Sequence, residues 1–419
     1  MFRRARWVPI WFLFAGGMIN YMDRSAISVA APLLMRDLRL DAAQLGIVFS
    51  SFFAGYALFT FIGGYGADVL GPKRVLSLAM SVWSTFCGLT AVAAGFTSLL
   101  VVRTIFGFGE GPFGAAANKM AGNWFPRREV ATAVGMANAG TPIGGALAGP
   151  VAGWLALRYG WRTSFVALAG IGFIWTLFWI LAVEDRPEAH KALSEERAEI
   201  KGDGSPVTQR ESKLPLSFYL WRPTVIATAA SFFGYGYVLY FFLTWFPSYL
   251  TLSRHLSIRD MGFVNTIPWV LGTIGLTISG LVCDFVSRIT HDVLRARKLV
   301  LVVGLFVAAI CVGVAGLVPG LASAVAFMTA AIFFVYLTGA TYWAIVQEIV
   351  PGEHVGAASG FVHLIANCSG IIGPAVTGFI IQATGDFASA FLLAGGVALL
   401  GALLVTIFVA RPCQTSLSA

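Results

Sequence analysis

Gly64-Tyr65-Gly66-Ala67-Asp68-Val69-Leu70-Gly71-Pro72-Lys73-Arg74 is a glycine-rich turn that carries one acid and two bases. It runs at either end into the charge-free stretches 42–67 and 75–102. Each exceeds the roughly 20 apolar residues that a helix needs to cross a bilayer, so the stretch is read as a loop between two membrane spans. Further charge-free runs cover 130–157, 163–183, 223–253, 261–283, 299–347, 354–385 and 387–410. The run 299–347 is too long for one crossing, and Pro319-Gly320 divides it. A turn at Gly95-Phe96-Thr97-Ser98 begins another span, which continues through Arg103 and Glu110, and the first span is apolar except for Asp23-Arg24. The expectation is an all-α integral membrane protein of twelve transmembrane helices. They lie near 7–33, 44–66, 74–94, 99–120, 130–156, 163–183, 222–250, 259–283, 298–317, 321–347, 355–380 and 387–410.

Composition agrees. The 419 residues are 58% hydrophobic and 11% charged, against about 25% charged in soluble domains, and mean hydropathy is +0.80. This excludes a soluble multidomain enzyme and a disordered, fibrous or nucleic-acid-binding protein. Placing the N-terminus inside puts 19 of the 28 Lys and Arg in inner loops and 6 in outer loops, leaving Arg24, Arg103 and Lys119 within helices. The positive-inside rule therefore predicts both termini in the cytoplasm and explains the +8 net charge without a nucleic-acid partner. The first span has a basic start and no small-residue cleavage site, which reads as an uncleaved signal anchor. Cys87, Cys283, Cys311, Cys368 and Cys413 show no paired spacing and read as small hydrophobes.

Residues 184–216 hold 14 charges and form the expected cytoplasmic linker, with a short surface helix near its Ala-His-Lys-Ala-Leu-Ser-Glu-Glu-Arg stretch. The linker separates two six-helix bundles, 1–183 and 217–419. Gly135/Gly360, Gly153/Gly378, Gly160/Gly385, Gly170/Gly395 and Pro126/Pro351 all share one offset of 225, and Gly64–Asp68 is echoed by Gly280–Asp284. Two similar halves are the signature of a secondary transporter.

The turn that opens this section also resembles the loop signature of the major facilitator superfamily, and lies where that family carries it, between the second and third spans. The resemblance implies a conformational latch made by Gly64, Asp68, Gly71, Lys73 and Arg74. In it Asp68 accepts from the N–H groups at a helix start and the bases pair across the halves. Asn20-Tyr21-Met22-Asp23-Arg24-Ser25, Arg103–Pro112 with Asn123–Pro126, and Phe241–Leu250 are similar to the anion:cation symporter branch, nearest to bacterial galactonate/proton symporters. This similarity spans essentially the whole chain.

Ionisable side chains inside a membrane are functional candidates, since each costs at least about 2.5–3.5 kcal/mol at mid-bilayer. Four qualify: Asp23, Arg24, Arg103 and Glu110. Tyr21, Arg24 and Ser28 fall on one helix face, where a planar guanidinium suits a carboxylate. Asp23 lies about 100° around the same helix, and a carboxylate deprived of water there is a candidate proton carrier. An anion on Arg24 would weaken its hold on adjacent Asp23. Arg103, Gly107 and Glu110 share a face of the fourth span, and Gly109 and Gly111 leave room for a neighbouring helix beside Glu110. The resemblance implies that Asp23 and Glu110 take protons, that Arg24 binds substrate, and that Arg103 pairs with the acids. It further implies pocket roles for Tyr56, Trp343 and His363, the last standing where the galactonate branch has an asparagine. Thr141 and Phe232 stand where those relatives have glutamines. Tyr235, Tyr237 and Tyr240 are candidates to replace the lost amides, or to favour a flatter, less hydroxylated acid. Lys119 reads as a snorkelling side chain and Glu348 as interfacial.

The expected function is a proton-coupled symporter of an organic anion, a sugar acid such as galactonate or a related hexonate or hexuronate. It is expected in the inner membrane, as a monomer without cofactor or metal, and is not an enzyme. The alternatives are an anion exchanger, a carrier for aromatic or dicarboxylic acids, and a membrane nutrient sensor. The short linker and the tail 411–419 weigh against a sensor's output domain. Gly107-Phe108-Gly109-Glu110-Gly111 lies within a membrane helix with no preceding strand, so it is not read as a nucleotide loop.

Overall fold

The computed structural model describes residues 5–125, 127–185 and 215–409. Most of the linker, including the expected surface helix, lies outside them, as do Pro126 and the tail with Cys413. The described residues are helical and contain no strand. The N-terminal half comprises α1 (Val8–Leu38), α2 (Ala42–Leu70), α3 (Pro72–Leu89), α4 (Phe96–Glu110), α5 (Phe113–Trp124), α6 (Arg127–Asn138), α7 (Gly140–Tyr159) and α8 (Trp161–Ala182). A short α9 (Leu216–Leu220) precedes α10 (Pro223–Ser248), α11 (Ile258–Thr290), α12 (Val293–Leu317), α13 (Leu321–Thr338), α14 (Thr341–Ile349), α15 (Gly352–Thr384) and α16 (Ala388–Phe408). Taking α4 with α5, α6 with α7 and α13 with α14, these make the twelve membrane spans expected from the sequence. Nine helices among the described residues are long and apolar enough to cross a membrane by themselves. The other three spans are interrupted or carry internal charges.

The interruptions follow from local chemistry. Pro112 has no N–H and its ring opposes the preceding turn, so the helix that Glu110 ends restarts at Phe113. The fourth span of the other half is broken at Gly339-Ala340, immediately before Thr341-Tyr342-Trp343. In both halves a helix end therefore falls beside candidate site residues, as in discontinuous transporter helices. Asp41 and Gln44 form a reciprocal cap at the start of α2, worth about 1 kcal/mol. The turn between α2 and α3 rests on Gly71, whose φ of +87° would strain any residue with a Cβ.

The chain packs as two units, each discontinuous in sequence. One joins residues 1–206 with 242–270 and 371–385; the other joins 207–241, 271–370 and 386–419. Within the first unit, backbone meets backbone. A Cβ on Gly149 would lie 2.5 Å from the Gly262 carbonyl oxygen, and one on Gly46 2.5 Å from that of Pro374. The Ala375 N–H donates to Ser50 Oγ at 3.0 Å, which gives a donor close to Pro374 a partner, and Thr266 Oγ1 donates to the Ala146 carbonyl at 2.9 Å. In the second unit, Tyr219, Val225, Leu301, Ile345, Val346, Val362 and Val405 belong to one buried apolar cluster.

Candidate functional site

The centre of the first unit is a buried ion pair. Arg24 of α1 donates from Nε to Glu110 Oε2 at 2.5 Å, with the side chains 6% and 0% exposed. The guanidinium also lies over three rings, 4.4 Å from the centroid of Tyr56, 5.0 Å from Phe52 and 5.3 Å from Tyr21. Such rings attract a desolvated cation and hold its orientation. Ser28, on the same face, turns its hydroxyl back to the Ser25 carbonyl at 2.8 Å. Tyr21 meets Trp269 edge to face with centroids 5.9 Å apart.

Glycines bring Glu110 to this place. A Cβ on Gly107 would sit 2.1 Å from the Phe52 carbonyl oxygen, and one on Gly111 2.7 Å from that of Tyr56. Only bare backbone lets the fourth span lie this close to α2. On the other side Gly109 faces Trp83 of α3, where a Cβ would come within 2.6 Å of the backbone nitrogen. The room expected beside Glu110 is thus filled by two helices.

The pairing differs from the Asp23–Arg24 interplay expected from sequence. Neighbours on a helix point about 100° apart. Arg24 turns to Glu110, while Asp23 turns toward Trp83 and Cys87 of α3. Asp23 is fully buried and makes no ion pair among the described residues. Arg103 is also buried but makes no ion pair within them. Its guanidinium lies 4.2 Å from the Phe106 centroid and 5.2 Å from that of Phe52, and Nε and Nη1 have no partner. Asn20 lies beside Glu110 and Trp83 beside Asp23, each buried with the acid. One small region therefore holds two acids, two bases and several polar donors, an arrangement able to redistribute protons and ion pairs.

The turn 64–74 forms its contacts within the same unit. The Lys73 N–H at the start of α3 donates to Asp185 Oδ1 at 2.6 Å, and Lys73 Nζ pairs with Glu184 at 3.2 Å. Asn123 Nδ2 and Trp124 Nε1 donate to the carbonyls of Asp185 and Glu184. Asp68, expected to accept from a helix start, instead pairs with Lys119 Nζ at 2.7 Å. Lys119 therefore does more than snorkel: its amine finds the one acid of the turn. Both side chains are exposed, so the pair contributes at most about 1 kcal/mol. Gly64 lies near Ala115, and Arg74 is exposed. Glu348 pairs with Arg297 at 2.8 Å in the second unit.

In that second unit Trp343 and His363 lie together, ring centroids 5.2 Å apart, beside Phe232 at 5.6 and 6.0 Å. Phe232 in turn stacks on Tyr342 at 4.3 Å and 11°. Tyr240 donates to Asn367 Oδ1 at 3.0 Å. Sequence reading missed Phe52, Asn20 and Trp269. Phe52 stands four residues before Tyr56 and Asn20 three before Asp23, so helical spacing carried both signals. Nothing local marked Trp269, because its contacts join segments far apart in the chain.

Comparison with known proteins agrees with this architecture. The chain matches the profile of the Major Facilitator Superfamily over residues 13–362 and 292–417. It is 49% identical over 414 residues to a hexuronate transporter of Bacillus subtilis (strain 168), covering 98% of this chain and 96% of that protein. It is 30% identical to a D-galactonate transporter of Escherichia coli O6:H1, covering 96% and 94%. Among solved structures it is similar to a D-xylose-proton symporter, with a TM-score of 0.77, 17% identity and coverage of 96% and 97%.

Proposed function

Since the chain belongs to the Major Facilitator Superfamily and is a multi-pass membrane transporter rather than an enzyme, we propose that it is a proton-coupled importer of a hexuronate. The bundles 1–183 and 217–419 alternate access across the plasma (inner) membrane, with both termini and the linker 184–216 in the cytoplasm and the monomer as the working unit. The 49% identity to a hexuronate transporter, against 30% to a galactonate transporter, favours a hexuronate as cargo.

The observation that carries the coupling is the Arg24–Glu110 bond. A permanent cation, cradled by aromatic rings, is neutralised by a group that can take up a proton. When Glu110 is ionised, it competes with the substrate carboxylate for the guanidinium fork. A proton on Glu110 frees Arg24 for the anion. A second proton on Asp23 removes a buried charge that makes no ion pair among the described residues. Arg103, close to both acids, supplies a compensating positive charge as the protons move. Tyr21 and Tyr56 hold Arg24 in place within the first unit, and Trp343 and His363 are the candidate substrate-binding residues of the second. Gly64, Asp68, Gly71, Lys73 and Arg74 act as a latch whose partners change between conformations. The coupling ion is the proton, and no cofactor takes part.

The test is uptake into proteoliposomes under an imposed pH gradient. Wild-type protein accumulates D-galacturonate or D-glucuronate uphill. Glu110→Gln retains exchange of internal for external substrate but loses accumulation, and Arg24→Ala loses both. Gradient-driven accumulation by Glu110→Gln at the wild-type level refutes the assignment. Uptake that requires a counter-anion and ignores the pH gradient would make the protein an exchanger.

A further inference from the structure

We propose that the indole N–H of Trp83 holds one oxygen of the Asp23 carboxyl and so fixes which oxygen takes up the proton, making Trp83 a positioning residue of the coupling site. This rests on the proton-coupled reading above, in which Asp23 carries one of the protons. All the groups concerned belong to the first unit.

Asp23 and Trp83 are both fully buried, and the indole lies against the carboxyl. Packing leaves that ring little freedom. A Cβ on Gly109 would lie 2.6 Å from the Trp83 backbone nitrogen, so α3 meets α4 backbone to backbone one residue before Glu110. The Trp83 ring meets Phe113 edge to face, with centroids 5.6 Å apart. Phe113 in turn seats on α1, where a Cβ on Gly16 would come 3.0 Å from its Cε2. Gly16 and Asp23 are two helical turns apart and share one face of α1. The indole is thus wedged between the helix that carries Asp23 and the span that carries Glu110, in an interior too dense for another rotamer.

An indole N–H can only donate. It bonds an oxygen that carries no proton, whether Asp23 is ionised or neutral. With the indole fixed, the proton adds to the other oxygen and leaves from it, and no bond of Trp83 itself changes. Cys87, one turn further along α3, directs its thiol, a weak donor, to the Phe165 carbonyl at 3.8 Å, so the stronger donor at Asp23 is the indole. The charged groups that face Asp23 are Glu110 and Arg103 of α4, and adjacent Arg24 is paired with Glu110. The ion pairs Arg6–Glu129 and Arg162–Asp37 lie at the two ends of α1, Lys119 is bound to Asp68 and Arg158 is exposed. Among these groups Trp83 is a donor that never titrates, so it orients Asp23 in every charge state of the network. Its bond is stronger to the carboxylate than to the neutral acid, which eases release of the proton.

The experiment is an infrared pH titration of the purified full-length protein. The carbonyl band of protonated Asp23 is assigned by its loss in Asp23→Asn. Trp83→Phe keeps a ring on Phe113 but removes the N–H. It should raise the band's frequency, because the carbonyl loses its donor, and move its titration midpoint upward by about 0.5–1 pH unit. The alkaline limb of D-galacturonate uptake into proteoliposomes should move in the same direction. If phenylalanine leaves the protein unfolded, 3-benzothienylalanine at position 83, which has the shape of tryptophan without the N–H, gives the same reading. A merely structural Trp83 would lower the melting temperature and leave band and midpoint where they are; that result overturns the proposal. If no Asp23 band titrates in the wild type, the proton-carrying role of Asp23 itself fails.

Discussion

Replacing Glu110 by Gln tests the competition at the centre of the site. The substitution keeps the side chain's shape and leaves an amide oxygen able to accept from Arg24 Nε, which now bonds Glu110 at 2.5 Å with both side chains out of water. What changes is the charge of the acceptor. A hydrogen bond to a charged partner contributes about 1.5–3 kcal/mol and a neutral one about 0.5–1.5. The swap therefore weakens the internal competitor by roughly 1–1.5 kcal/mol, which corresponds to about five- to tenfold tighter substrate binding. The gain should be largest at high pH, where an ionised Glu110 holds Arg24, and shrink as pH falls and protonation frees it; pH 8 and pH 6 are compared. The sign is thus that wild-type affinity falls as pH rises and the variant's falls less. Isothermal titration of detergent-purified protein with D-galacturonate at the two pH values reads both quantities. A variant that binds no tighter at pH 8 and keeps the full wild-type slope would refute the competition. Glu110→Ala provides the contrast: it leaves a buried guanidinium without its counter-charge and should lose about 3–5 kcal/mol of stability, seen as a markedly lower melting temperature.

Three other outcomes are expected. Asp23→Asn removes a buried carboxylate that makes no ion pair among the described residues and keeps an oxygen able to accept from Trp83, so its melting temperature should not fall below wild type while pH-driven accumulation drops at least tenfold; a destabilised but fully coupled variant would contradict this. Gly149→Val forces a side chain onto the Gly262 carbonyl, 2.5 Å from the new Cβ, whereas a Cβ on Gly170 meets nothing within 4 Å. The first should cost about 1–3 kcal/mol and lower the melting temperature by several degrees, with Gly170→Ala near wild type. Asp68→Asn breaks an exposed pair with Lys119 and should change stability by no more than about 1 kcal/mol. Any larger loss of transport at unchanged melting temperature would locate its role in the conformational cycle.

The chain's few charges made the architecture legible before any coordinates. Apolar runs long enough for a bilayer leave little choice but helices, because every backbone polar group in lipid must be satisfied within its own segment. Asp23, Arg24, Arg103 and Glu110 stood out for the same reason, as charges where charges are costly. The interrupted fourth spans were less legible. Gly111-Pro112 carries a sequence signal, but Gly339-Ala340 lies in an unbroken apolar run. The partner of Lys119 was not legible, because Asp68 is on a different helix.

The sequence by itself determined the spans, the family and the identity of the charged residues, since these follow from local hydropathy and from motifs. Only tertiary structure decided who pairs with whom. Asp23 and Arg24 are adjacent in the chain, and adjacency suggested a dialogue between them. Helical geometry points them apart, and glycines that let α2 and α4 meet backbone to backbone deliver Glu110 to Arg24 instead. The same holds for the rings around Phe232, where α10 meets α14 and α15, which lie far from it in sequence. Contacts of that kind depend on how closely backbones approach, a property of pairs of helices that no single stretch of sequence encodes.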